Sequence, residues 1–309
     1  MREQYRGIRA AYAAMPSSLR GLLLMTLSVG FATGTHAVIR HLGGDMPSAE
    51  VVVIRHAFAL AALSPFIARA GILRTLRARR PRLILTRGLI AGCNALAWYK
   101  SLTLLPFVVA TSLNFLAALF VTIGAVLFLG EKAGPRRWAA VAVGFSGAVI
   151  ILRPGIEVIT PGALLVLLSA VLSGISLLLL KLLTRSESPL TIVTYMYLFR
   201  IGIALIPAAF HWVWPSANDL LWFIAIGVVS SATNMAQAQA FKEADATLLA
   251  PVRFTRLVWA ALIGVIAFGE LPDLWTWIGA ATIAGSISYI AWREATLRKE
   301  RAPATEETL

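Results

Sequence analysis

An all-α integral membrane fold of ten transmembrane helices, arranged as two inverted five-helix repeats, is what this sequence predicts, and three observations predict it. The chain of 309 residues is 58% hydrophobic and only 14% charged, whereas a soluble domain is about half apolar and a quarter charged. Its apolar residues fall in blocks of roughly 17–25, the length that crosses about 30 Å of hydrocarbon at 1.5 Å per residue. Two of those blocks are one text written twice. Pro106–Glu131 pairs without a gap with the stretch Ala246–Glu270, so that Gly130-Glu131 matches Gly269-Glu270 and Trp138 matches Trp277.

Taken in order, the spans are Leu19–Ile39, Ala49–Ala68, Leu83–Leu102, Pro106–Leu129, Pro135–Leu152, Gly162–Leu180, Thr191–Phe210, Asp219–Phe241, Thr247–Phe268 and Leu274–Trp292. The first follows a basic N-terminal stretch, residues 1–18, in which Tyr5, Ile8 and Tyr12 are spaced for one face of an amphipathic surface helix. Nine further apolar blocks make the first block a membrane span rather than a cleaved signal peptide. Pro47 and Pro65 flank the second span as Pro189 and Pro207 flank the seventh. The fifth span is short and needs Arg136 and Arg137 to reach outward from its start. Pro251, just before Arg253 and Arg256 in the ninth, removes an amide donor and loosens its first turns. The tail, residues 293–309, is polar and charged.

Most of the 28 Lys and Arg residues sit in the N-terminus, the tail and alternate short loops, above all Arg69–Arg87. That asymmetry orients a membrane protein and places both termini in the cytoplasm; the membrane expected is the inner (plasma) membrane of a bacterial-type cell. It also removes nucleic acid as the reason for the net charge of +13. Cys93 stands alone, so no intramolecular disulfide is possible. The organisation that follows is a basic N-terminus (1–18), a first repeat (19–152), a periplasmic linker (153–161), a second repeat (162–292) and a tail (293–309). Five spans per copy is an odd number, so the second copy enters the membrane upside down, as in many secondary transporters.

Two five-helix copies, each with a helix ending Phe128-Leu129-Gly130-Glu131 or Ala267-Phe268-Gly269-Glu270, followed by a helix with Trp138 and Gly144 or Trp277 and Gly279, resemble the EamA family of the drug/metabolite transporter superfamily. The resemblance covers roughly Leu19–Trp292. It implies carriage of a small metabolite such as an amino acid, a nucleotide-related compound or a vitamin, without fixing which. It also implies a cavity lined by spans one to four and six to nine, with spans five and ten as outer braces.

An ionisable residue inside a membrane span is a site hypothesis by default. Arg55, Lys100, Arg200, Arg253 and Arg256 lie within the spans, while all 15 Asp and Glu lie at span ends, in loops or in the tails. Positive groups without internal carboxylates point to a hydrated cavity that receives an anionic or zwitterionic solute, because a guanidinium grips carboxylate or phosphate bidentately. Arg253 and Arg256, three apart, read as one helical face. Asn114 is the repeat partner of Arg253. The substrate-binding candidates are therefore Arg253, Arg256, Arg200, Asn114, Tyr197, Arg55 and Trp259. Lys100 and Arg55 lie close enough to a membrane face to reach it, and the uncharged candidates have interhelical hydrogen bonds as a competing role. The missing mid-span carboxylate argues against a carboxylate proton relay and leaves exchange, facilitated diffusion or coupling through His56 open.

Two other classes compete. Gly144-Phe145-Ser146-Gly147 reads as a nucleophile motif, with His211 two spans later, but Ser146 is mid-span and His211 at a span end. A passive channel is the other, although wide pores usually carry rings of charge. Gly30, Gly34, Gly144 and Gly147 read as small-residue helix contacts. No enzymatic centre, nucleotide loop, haem signature or metal-ligand set is present, so neither cofactor nor metal is implied. The partners implied are a small-molecule substrate and the lipid bilayer, with monomer and homodimer both open.

Overall fold

The computed structural model describes residues 15–130, 134–153, 160–183, 186–244, 249 and 251–301. The amphipathic reading of the N-terminus, Glu131, most of the linker (154–159) and the end of the tail (302–309) lie outside them. All regular structure among the described residues is helical. In chain order the helices are α1 (Ser17–Asp45), α2 (Ser48–Ala70), a short α3 (Ile72–Leu76), α4 (Pro81–Leu104), α5 (Phe107–Asn114), α6 (Ala117–Leu129) and α7 (Pro135–Leu152). They continue with α8 (Pro161–Leu183), α9 (Pro189–Ala208), α10 (Ala217–Glu243), a 3₁₀ turn (Pro251–Phe254), α11 (Thr255–Phe268) and α12 (Leu274–Arg301). Among the described residues, seven of these segments are long and apolar enough to cross a membrane, with Phe107–Phe128 counted as one. Helices alone suit that environment, because each satisfies its own backbone polar groups where water is absent.

Starts and stops follow local chemistry. Proline occupies the first helical turn of α4, α7 and α9, where its missing amide costs nothing. Ser216 and Asp219 form a reciprocal capping box at the start of α10. The glycine of each Gly-Glu motif has a conformational reason. Gly130 (φ 66°) and Gly269 (φ 65°) adopt the left-handed conformation that ends α6 and α11, and the Glu270 amide returns to the Gly264 carbonyl at 2.9 Å. Thr and Ser inside the helices, such as Thr33 and Ser112, donate back to carbonyls four residues earlier.

The helices pack in a pattern that repeats after half the chain. α1 lies against α10 as α4 lies against α8; α2 packs on α9, and α7 on α12. α6 packs on α8 as α11 packs on α1. The twin stretches also share a defect. Around Phe115-Leu116 the amides reach back three residues instead of four, and at the matching place in the second copy stands the 3₁₀ turn Pro251–Phe254. Phe115 and Phe254, repeat partners, meet with ring centroids 5.4 Å apart. A tight turn inside a helix marks strain or a hinge, and here two such turns face each other.

Glycine sets the closest approach. α7 and α12 cross where a Cβ on Gly147 would stand 2.7 Å from the Gly279 carbonyl oxygen, the small-residue contact expected from the sequence. Gly144 meets Leu119 and Ser286, and Gly30 seats the Trp259 ring, but Gly34 faces open space and is not a contact. Large apolar side chains such as Phe31, Ile206 and Ile266 point outward, which is stable only against lipid. Both Trp138 and Trp277 are exposed on the bundle surface as well. Charged ties close the two ends. At the end where α1 starts, Arg20 pairs with Glu243 at 2.9 Å and the Arg80 amide donates to Glu187 at 2.6 Å. At the other end Glu270 pairs with Arg40 and accepts the Phe107 amide at 2.8 Å, and Arg153 pairs with Asp273. The cations at the ends of the first and fifth spans are thus neutralised in place.

Candidate functional site

Between α1, α2, α9 and α10 lies a hollow of about 250 Å³. Its wall includes His36, Arg55, His56, Tyr197, Arg200 and Thr233. Among the described residues only these four helices line it: α7 and α12 contribute nothing, and neither do α4, α5, α6, α8 and α11, although spans three, four, six and nine were also expected on a cavity wall. Each polar group arrives from the interior-facing side of a helix whose other side carries exposed apolar residues, and on α2 His56 stands one turn after the fully buried Val52, on the same side of the helix. A larger crevice of about 780 Å³ opens at the α1-start end among Arg74, Arg77, Arg79 and Glu187. It is built from α3, the end of α2, the start of α9 and the loops beside them, and lies away from the interior arginines.

Three guanidinium groups converge on the interior hollow. Arg200 Nη1 donates to His56 Nε2 at 3.0 Å. Arg256 Nη2 donates to His36 Nδ1 at 2.7 Å, with the guanidinium 5.9 Å from the Trp98 ring centre. Arg55 donates to the Tyr99 hydroxyl and lies 3.5 Å from Ser230 Oγ. The rings pack on one another: His56 lies 5.6 Å from Tyr197 and 6.0 Å from Tyr99, and His36 meets Trp98 edge-on at 5.6 Å. No carboxylate among the described residues lines the hollow. The Nε donors of Arg200 and Arg256 and the Thr233 hydroxyl are buried without a hydrogen-bond partner among the described residues. Charged donors held by neutral acceptors, with others left over, form a receptor for an anion.

Four of the sequence candidates gather here: Arg55, Arg200 and Tyr197 on the wall, and Arg256 behind His36. The other three do not. Arg253 is exposed within the 3₁₀ turn. Trp259 packs on Gly30 in a small apolar cluster with Met25 and Val29. Asn114 joins a ladder of interhelical hydrogen bonds through Ser169 to Asn94, which in turn donates to Ser173. Lys100 is exposed, and Ser146 bonds the Val143 carbonyl on an exposed helix face. Sequence reading missed His36, Thr233 and the partner role of Tyr99. A histidine inside the apolar span Leu19–Ile39 was the available signal for the first. Arg87, grouped with the basic loop, is buried beside the Ser176 carbonyl at 3.4 Å and the Met196 sulfur.

A cation-lined hollow inside a bundle of lipid-facing helices defines a polytopic membrane protein that handles solutes. The model of the EamA-like transporter family matches residues 19–153 and again 160–292, and the chain belongs to that family. Similar proteins include a riboflavin transporter of Rhizobium johnstonii, 36% identical over 84% of this chain and 85% of that one. An S-adenosylmethionine uptake transporter of Rickettsia felis is 30% identical over 91% and 95%. A riboflavin transporter of Vibrio cholerae is 31% identical over 92% and 97%. One solved crystal structure, 19% identical, superposes with a TM-score of 0.59 over 93% of this chain and 99% of the other, and so shares the fold. The protein is a membrane-embedded transporter of the drug/metabolite superfamily type, and the relatives support a small metabolite as its cargo.

Proposed function

We propose that the protein is a secondary transporter of a small anionic or zwitterionic metabolite bearing a flat heteroaromatic ring, a vitamin or nucleotide-related compound. It works by alternating access in a bacterial inner membrane, with ten spans in two inverted repeats and both termini cytoplasmic. The observation that carries this reading is the convergence of Arg55, Arg200 and Arg256 on one interior hollow with only neutral acceptors around them. A carboxylate or phosphate is a stronger acceptor for a guanidinium than an imidazole or a phenol, so the solute's acidic group displaces those contacts. Tyr197 and the two histidine rings offer flat faces for its ring. The heteroaromatic body is argued from relatives named for riboflavin and S-adenosylmethionine.

The hollow is smaller than the roughly 300–1,000 Å³ usual for small-molecule sites, which is room for an acidic head group and little more. Loading therefore widens it, and the facing tight turns at Phe115-Leu116 and Pro251–Phe254 are where two twin helices have backbone to give. The test is counterflow in proteoliposomes with labelled flavin mononucleotide. Transient accumulation driven by unlabelled flavin mononucleotide on the far side, lost in Arg200→Gln, is the expected result. Simple equilibration without overshoot makes the protein a passive channel, and uptake indifferent to Arg200 removes the site.

A further inference from the structure

The two histidines of the hollow have fixed tautomers. His56 Nδ1 lies 2.7 Å from the Val52 carbonyl oxygen, which only accepts, so Nδ1 carries the proton. His56 Nε2 lies 3.0 Å from Arg200 Nη1, which only donates, so Nε2 presents its lone pair. His36 is neutral in the opposite sense: its Nδ1 accepts from Arg256, leaving the proton on Nε2. Each ring stands where a carboxylate would normally face a guanidinium. The groups facing His56 are all cationic or neutral. They are Arg200 and Tyr197 from α9, Tyr99 from α4, Arg55 on its own helix, His36 from α1 with Arg256 of α11 behind it, and uncharged Ser230, Thr233 and Gln237 from α10.

We propose that this transporter carries its acidic solute together with a proton, taken up on Nε2 of His56. The inference rests on the reading of the hollow as an anion site. An imidazolium at position 56 in the empty hollow would turn an N–H toward the N–H of Arg200 and add a charge beside Arg55 and Arg200. An entering carboxylate or phosphate reverses both objections. It draws Arg200 away, leaving the Nε2 lone pair without a donor in a buried place, and it brings the negative charge that an imidazolium needs. The proton comes from water in the open hollow, forms one N–H bond and hydrogen-bonds the anion. It returns to water on the other side when the anion leaves and Arg200 closes back on Nε2. Anion and proton thus bind as a pair, and a monoanion crosses with no net charge.

The test measures flavin mononucleotide binding to purified full-length protein in nanodiscs by quenching of flavin fluorescence, from pH 8 to pH 5.5, for wild type and His56→Gln. The flavin's own ionisation enters both curves equally, so their difference belongs to His56. We expect wild-type affinity to rise, relative to the variant, by up to about tenfold per pH unit as pH falls, the limit for one linked proton. Wild-type proteoliposomes loaded with a pH dye should also show proton movement that starts with flavin mononucleotide and is absent for His56→Gln. If flavin mononucleotide binds in an Arg200-dependent way but the two pH curves run parallel, proton coupling is overturned while the anion site stands. If binding is absent or indifferent to Arg200→Gln, the anion site falls and the coupling with it.

Discussion

Glu270 ties the end of α11 to both α1 and α5, and neutralising it should be costly. It closes the end of α11 against Arg40 of α1, with Nη1 to Oε2 at 2.7 Å, and against the Phe107 amide at the start of α5, at 2.8 Å. The Arg40 guanidinium also lies over the Phe268 ring at 4.3 Å. Glu270→Gln keeps an acceptor for Phe107 but leaves Arg40 without its counter-charge. Hydrogen bonds to a charged group are worth about 1.5–3 kcal/mol, and breaking a fully buried pair costs about 3–5 kcal/mol. The two side chains are 16% and 23% exposed, so water screens part of the loss and the expected cost is about 2–3 kcal/mol. Arg40→Gln should cost somewhat less, because the Phe107 contact survives. The double variant should cost less than the sum of the singles by about 1–2 kcal/mol, the coupling expected of residues in direct contact. Reversible unfolding by sodium dodecyl sulfate in mixed micelles measures all four corners of that cycle. Additivity within about 0.5 kcal/mol would show that the tie holds nothing together.

Other substitutions test separate parts of the molecule. Gly269→Ala places a Cβ in the left-handed cap and should lower stability by about 1–2 kcal/mol in the same unfolding assay; no change would mean that the cap relaxes. Gly147→Val drives a side chain into the α12 backbone and should destabilise by about 1–3 kcal/mol, whereas Gly34→Ala, in open space, should be near neutral. Arg256→Gln should weaken flavin mononucleotide binding at least tenfold, while Arg253→Gln, on the exposed turn, should leave it within about twofold; equal effects would return Arg253 to the site. Ser146→Ala should leave binding and transport unchanged, because its hydroxyl is committed to the Val143 carbonyl on a lipid-facing surface.

Much of the frame was legible because membrane helices announce themselves by length and composition. The twin stretches were legible too, and the structure supplies the reason for their glycines: two left-handed caps at the same repeat position. What periodicity does not carry is partnership across helices. Arg253 and Arg256 read as one face only for a continuous α-helix, and the 3₁₀ turn begun by Pro251 ends between them. Arg87 counts with the basic loop because its neighbours in sequence are basic, although it falls within the third span, and α4, which starts at Pro81, carries it inside. His36 has no charged neighbour in sequence; its partner is 220 residues away. Asn114, the repeat partner of Arg253, turns its amide to the Ser169 ladder instead of the hollow.

The account turns on whether interior guanidinium groups recognise an acidic group on the cargo. Flavin mononucleotide and riboflavin share one ring system and differ by a phosphate, so the ratio of their dissociation constants isolates that group. The prediction is a ratio of at least tenfold in favour of flavin mononucleotide for the wild type, collapsing toward one in Arg200→Gln and in Arg256→Gln. Equal affinity for the two flavins in the wild type, or a ratio untouched by either substitution, would contradict it.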